Sequence, residues 1–146
     1  IDSYIIAEIE GVNAGAFSAY VEGIEGDSNN LMTGGLMTGF DRGLLQKGFG
    51  FLAEHKEIQI PKTKGTLQID CVATLPEFTG KRIFSQILSF VEEKFKTEGV
   101  DFAEIQVWRK NEHAVNVYKS KGYDILEQKK SIKEPDNGKI LMRKKL

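Results

Sequence analysis

The chain of 146 residues is 40% hydrophobic and 28% charged, with a formal net charge of −1, the balance of one ordinary domain that buries roughly two thirds of its unfolded surface. Its one cysteine, Cys71, and two histidines, His55 and His113, exclude an internal disulfide framework and supply too few soft ligands for a structural zinc site, so no metal is expected. A cytoplasmic setting fits that cysteine usage best, no apolar run approaches the roughly 18 residues of a membrane span, and the near-neutral charge disfavours broad nucleic-acid binding, so neither a membrane nor a nucleic-acid partner is expected.

In chain order, Tyr4 to Ile9 and Asn13 to Glu22 are β-rich and flank the turn-prone EGVN, which predicts an antiparallel hairpin. Residues 23–64 lose regular patterning. They hold GDSNN, the duplication LMTGGLMTG and one helical candidate from Phe40 to His55, with Leu44, Leu45, Phe49 and Leu52 along one face, and read as a long, partly helical insertion. Thr66 to Thr74 alternates as a strand, which Pro76 ends because proline lacks the amide a ladder needs. Phe84, Ile87, Leu88, Val91 and Phe95 then recur at spacings of three and four, the stripe of an amphipathic helix, with Gly99 as its stop.

Asp101 to Trp108 is the next strand, and the order strand, helix, strand predicts a parallel pair with a right-handed crossover. Asn111 caps a short helix running to about Ser120 and ending at Gly122. Gly122 to Gln128 and Lys139 to Arg143 close the chain as an antiparallel hairpin around PDNG.

Chemistry concentrates in two stretches. In LPEFTGKRIFSQIL, residues 75–88, a strand ends in a turn that opens a helix, where the first amides lack intrahelical acceptors and the helix dipole is positive. The second is NEHAVNVYKSKGYDI, residues 111–125, with Asn111, Ala114, Tyr118, Gly122 and Tyr123 spaced along and just past the short helix. Together they resemble the GNAT superfamily, the general-control-related N-acetyltransferases, whose members often read P-E-[YF]-R-G-K-G-I-G after one strand and N-x-x-A-x-x-x-Y-x-x-x-G-[FY] after the next. Residues 66–146 follow that order, Tyr4 to Tyr20 resemble the family's preceding hairpin, and the insertion matches only loosely. The fold so implied is mixed α/β: one domain over residues 1–146, with a mostly antiparallel twisted sheet, a central splayed parallel pair, and helices on both faces.

The resemblance further implies an enzyme moving an acetyl group from acetyl-CoA to a primary amine by direct attack through a tetrahedral intermediate. Pro76, Glu77 and Phe78 match the lead-in, Thr79 stands where relatives carry Arg or Gln, Gly80 and Lys81 match, and Arg82 and Phe84 replace the usual small residues. The implied cofactor contacts are the turn Thr79, Gly80, Lys81, Arg82, Ile83, Phe84 and Ser85, the strand backbone at Ala73 and Thr74, and Asn111, Ala114 and Tyr118 on the following helix. Glycine suits such a turn because a Cβ crowds the approach of backbone to phosphate. Phe84 also falls on the helix's core stripe and reads as a core anchor, while the Arg82 guanidinium could turn outward to phosphate.

Tyr118 matches the family's acid, and a phenol holds its proton at neutral pH for donation to a departing thiolate. The base is less legible. Asp70 is the catalytic candidate with Glu57 beside it, both equally readable as paired or solvated carboxylates. Asn111 is first a cap, His113 an exposed polar residue, and Cys71 a buried strand residue. Residues 1–62 hold nine acids and four bases and residues 63–146 twelve acids and sixteen bases, an asymmetry that suits a nucleotide cofactor in the second half and a cationic acceptor at the first. A cofactor-binding or sensing domain without transfer, and an interaction domain without cofactor, are the alternatives. The oligomeric state is open, with a homodimer among the options.

Overall fold

A computed structural model describes residues 4–24, 41–54, 56–134 and 136–146. The GDSNN and LMTGGLMTG stretches, Phe40, His55 and Pro135 lie outside the described residues. The first hairpin joins β1 (Tyr4–Ile9) to β2 (Val12–Val21) through Glu10 and Gly11, both at positive φ (50° and 81°), the two-residue turn whose twist matches paired strands. Then follow α1 (Arg42–Glu54), β3 (Leu67–Thr74), α2 (Ile83–Thr97), β4 (Phe102–Trp108), α3 (Glu112–Ser120), β5 (Asp124–Lys130) and β6 (Gly138–Lys145).

The six strands among the described residues form one sheet in the order β1-β2-β3-β4-β6-β5. Every described pairing is antiparallel except β3 with β4, which is parallel and joined across α2. Both helix stops are as the glycines predict. Gly99 (φ 86°) and Gly122 (φ 87°) take the left-handed position, with Val100 N–H donating to Phe95 O at 3.0 Å and Tyr123 N–H to Tyr118 O at 3.1 Å, the closing bonds of a Schellman motif.

One sheet face carries the main core. Phe17, Leu67, Ile69, Ala103, Ile105, Ile140 and Met142 receive Ile87, Leu88, Val91 and Phe95 of α2 and Val115 and Tyr118 of α3. On the opposite face Leu141 is buried apart from that cluster, as are Ile58 and Ile60 of the covering segment, into which α1 leads through a 3-10 turn, Lys56–Ile58. Glu104, fully buried, anchors this covering segment by accepting from Thr63 N–H (3.1 Å), Gln68 Nε2 (2.9 Å) and Arg143 Nε (3.0 Å).

Three expectations shift. Leu44 and Phe49 of α1 are exposed rather than packed. β5 starts at Asp124, because Gly122 is spent on the helix stop, and runs to Lys130, while β6 extends to Lys145. The parallel pair also parts earlier than the strand ends.

Candidate functional site

β3 and β4 pair only over Leu67–Ile69 and Ala103–Ile105. The cause is a bulge in β3. Ser18 faces Asp70 and Ala16 faces Ala73, so Cys71 and Val72 together oppose one β2 residue, and Cys71 takes φ 54°. An inserted residue bends the strand and sharpens its twist, here swinging Cys71 to Thr74 away from β4. The expected splay near Thr74 and Trp108 therefore opens already after Ile69 and Ile105. Cys71, expected buried, is exposed for the same reason. Ala73 and Thr74 keep their partners on β2, Ala16 and Gly15, with no strand partner on the β4 side among the described residues.

The turn after β3 begins with a 3-10 turn, Pro76–Phe78, and Gly80 has φ 82°. Arg82 is the N-cap of α2 in the left-handed conformation (φ 61°, ψ 21°), without a side-chain capping bond. Thr79 N–H donates to Pro76 O (3.1 Å) and Lys81 N–H to Phe78 O (3.2 Å), so these two amides are internally satisfied. Those of Gly80, Arg82, Ile83, Phe84 and Ser85 have no acceptor among the described residues, as the geometry of a helix start dictates.

The two bulky residues of the turn diverge. Phe84 points inward, its ring 6.5 Å from Phe17 and 5.8 Å from Tyr118 between centroids, as its place on the stripe predicts. Arg82 is exposed and, with Ser85, Gln86, Ser89 and Lys121, lines an open depression beside the helix start. Lys81 lays its ammonium over the Phe78 ring at 4.8 Å.

Tyr118 lies on the inner face of α3, 8% exposed, against Phe84 and, at 6.3 Å, Tyr123. Its hydroxyl makes no hydrogen bond to the described residues. Burial, and secondarily the charge of Asp70, push its pKa above the ordinary 10.0. Asn111 acts as the cap, its Oδ1 accepting from Ala114 N–H at 3.1 Å, and Ala114 packs at the core's edge. His113 is exposed.

Asp70 is not a free carboxylate. Its Oδ2 accepts from Lys62 Nζ at 2.5 Å and from the Tyr20 hydroxyl at 2.9 Å, and Lys62 also donates to that hydroxyl. Burial alone would lower the Lys62 pKa, but pairing with Asp70 outweighs it and the value is raised. Glu57 accepts from Ser131 Oγ (2.8 Å) and Ile132 N–H (3.0 Å), which ties the last hairpin to the covering segment and keeps it from the splay.

Sequence reasoning missed Lys62, Tyr20, Lys121 and Lys139. Only Tyr20 left a signal, since alternation along β2 puts it on the same face as Ser18, opposite Asp70. Among the described residues no cluster of three metal-ligating side chains occurs, and no helix is long and apolar enough to cross a membrane.

Residues 41–123 match the model of the acetyltransferase (GNAT) family. No curated protein matches the chain by sequence. Among solved structures, a PaiA N-acetyltransferase from Thermoplasma acidophilum in complex with coenzyme A superposes with a TM-score of 0.61 at 14% identity, over 98% of this chain and 60% of its own. The ribosomal-protein-S18-alanine N-acetyltransferase of Escherichia coli gives 0.62 at 11% identity, over 99% and 70%. A GNAT-family acetyltransferase from Listeria monocytogenes gives 0.60 at 17%, over 99% and 64%. The chain thus spans about two thirds of the length of the proteins it resembles, and at these identities the likeness is one of fold.

Proposed function

Because the chain belongs to the acetyltransferase (GNAT) family, we propose that it transfers an acetyl group from acetyl-CoA to a primary amine by direct attack. One observation carries this reading: amides without internal acceptors among the described residues at the start of α2 stand beside a splayed strand pair, with Phe84 of that helix start packed on the Tyr118 ring. Helix-start amides bind phosphate through their N–H groups and the dipole, and the residues present fit that use. Phe84 is turned into the core, Arg82 is turned outward, and a Cβ at Gly80 would meet nothing within 4 Å.

The amides of Gly80 and of Arg82 to Ser85 would hold the diphosphate of coenzyme A, with Thr79 and Lys81 shaping the turn. The depression beside them, with Arg82 and Lys121, gives the nucleotide room and positive potential. Strand backbone freed by the bulge, near Ala73 and Thr74, would hydrogen-bond the pantetheine arm as an added strand does and polarise the thioester carbonyl.

Tyr118 would protonate the departing thiolate. Its raised pKa keeps the phenol loaded through neutral pH, and among the described residues its hydroxyl has no hydrogen-bond partner competing for that proton. Asp70, clamped through Oδ2 by Lys62 and Tyr20, is a well-fixed carboxylate and would orient the incoming ammonium while water takes the proton. An acetyl-CoA-dependent activity and the single exposed thiol of Cys71 suit a reducing cytoplasm.

Tyr118→Phe tests the reading. With the ring packing kept, kcat should fall about 100-fold or more, the usual worth of a positioned acid, while affinity for coenzyme A stays within threefold. Unchanged turnover would remove Tyr118 from the chemistry, and no binding of coenzyme A by either form would remove the cofactor.

A further inference from the structure

The second face of the splay carries charges that the transfer of acetyl does not itself require. Lys139, at the start of β6, is paired in register with Trp108 at the end of β4. Its half-buried ammonium lies 5.5 Å from the Trp108 ring centroid and donates to Gln59 Oε1 at 3.0 Å. Among the described residues no carboxylate stands within ion-pair distance of it. Burial depresses its pKa, and the charges of Asp70 and Lys62 both reach it. The covering segment bonds to Lys139 through Gln59, accepts from Gln106 Nε2 at Ile60 O (2.8 Å) and reaches Asp70 through Lys62, so Lys139, Lys62 and Asp70 lie along one face of the sheet at the open end of the strand pair.

The balance along that face is informative. Lys62 is neutralised by Asp70 at 2.5 Å. The adjacent Lys129 donates to the Gln59 carbonyl at 2.6 Å and has Glu127 at 3.9 Å. Lys139 alone of these lysines is left with neutral partners. A half-buried cation without a counter-ion has lost hydration that its surroundings do not replace, and an anionic group arriving from outside would restore it. Asp70 meanwhile has Oδ1 unbonded among the described residues, since every contact it makes runs through Oδ2 or its backbone. One face of the sheet thus offers a fixed cation and a fixed carboxylate oxygen that can accept from an ammonium.

We propose that the acceptor amine carries a carboxylate, held by Lys139 while Asp70 Oδ1 takes the ammonium, so that the preferred substrate is a zwitterionic amino acid rather than a polyamine or a lysine-rich peptide. This rests on the acetyl-transfer reading above and replaces the cationic acceptor expected from the acid-rich N-terminal half. In the reaction the acceptor nitrogen bonds to the acetyl carbon as the C–S bond breaks. The ammonium sheds two protons, of which one ends on the thiol by way of Tyr118 and the other goes to solvent.

The test measures release of coenzyme A thiol from acetyl-CoA with each of the common amino acids, the carboxamide of each, spermidine and a lysine-rich peptide, in wild type, Lys139→Gln and Lys139→Arg. Wild type should favour at least one amino acid over its carboxamide by about 10-fold or more in kcat/KM, the worth of a hydrogen bond to a charged group. Lys139→Gln, which keeps the stem, should collapse that ratio to within about threefold, and Lys139→Arg should retain it. If carboxamides, spermidine or the peptide react as well as any amino acid, or if Lys139→Gln leaves the preference intact, the proposal fails while acetyl transfer stands. If nothing in the panel releases thiol above background, both fail.

Discussion

Arg82 sits where the turn needs a left-handed residue, and Arg82→Gly isolates what that costs. A non-glycine residue at φ 61°, ψ 21° carries about 1–2 kcal/mol of steric strain, which glycine relieves, while the added freedom of glycine in the unfolded chain takes back about 0.4–1 kcal/mol. The Arg82 side chain makes no capping bond that would be lost. The net expectation is a gain of roughly 0.5–1 kcal/mol, or about 2–4 °C in Tm for a domain of this size, read by urea and thermal unfolding. Coenzyme A affinity from calorimetry should change less than about fivefold, because an exposed guanidinium contributes at most ~1 kcal/mol. Destabilisation would show that strain at Arg82 is repaid by contacts of its side chain. A tenfold loss of affinity would show that the guanidinium, not the backbone, is the phosphate ligand.

Gly138→Ala should be far costlier. Its φ is 146°, and an added Cβ would lie 2.0 Å from Lys129 O and 2.8 Å from Arg109 Cδ, so roughly 2–4 kcal/mol should be lost in urea unfolding; a neutral result would mean that the last hairpin shifts freely. Glu104→Gln removes the anion on which Arg143, Gln68 and Thr63 converge and should cost about 3 kcal/mol. Burial alone would raise the Glu104 pKa, but hydrogen bonds from Gln68, Thr63 and Arg143 outweigh it and hold it below the ordinary 4.5. Its contribution is then present above about pH 4.5 and lost as pH falls through the lower folded-state value. The stability gap between wild type and Glu104→Gln should narrow in that acid range, and a gap that stays constant there would refute the assignment.

The central half of the fold was legible because its signals are local. The Phe84 to Phe95 stripe, the stops at Gly99 and Gly122, and the cap at Asn111 each state one element in a few residues, and strand, helix, strand fixes the parallel pair. The bulge was not legible, since Cys71 adopts a left-handed conformation with no glycine or asparagine to mark it, and with it went the true start of the splay and the exposure of Cys71. The Lys62, Asp70 and Tyr20 contact and the isolation of Lys139 join residues far apart in sequence, so no spacing announces them. The apolar spacing of α1 predicted a helix correctly, but periodicity does not say what covers a face, and Leu44 and Phe49 are exposed.

A crystal structure with acetyl-CoA bound tests the account most directly. Diphosphate oxygens should lie about 2.7–3.2 Å from amide nitrogens at the start of α2, among Gly80 and Arg82 to Ser85, with the Phe84 ring still packed on Tyr118. A map in which the Arg82 guanidinium or the Phe84 ring occupies the diphosphate position, or in which saturating acetyl-CoA leaves those amides empty, would contradict it.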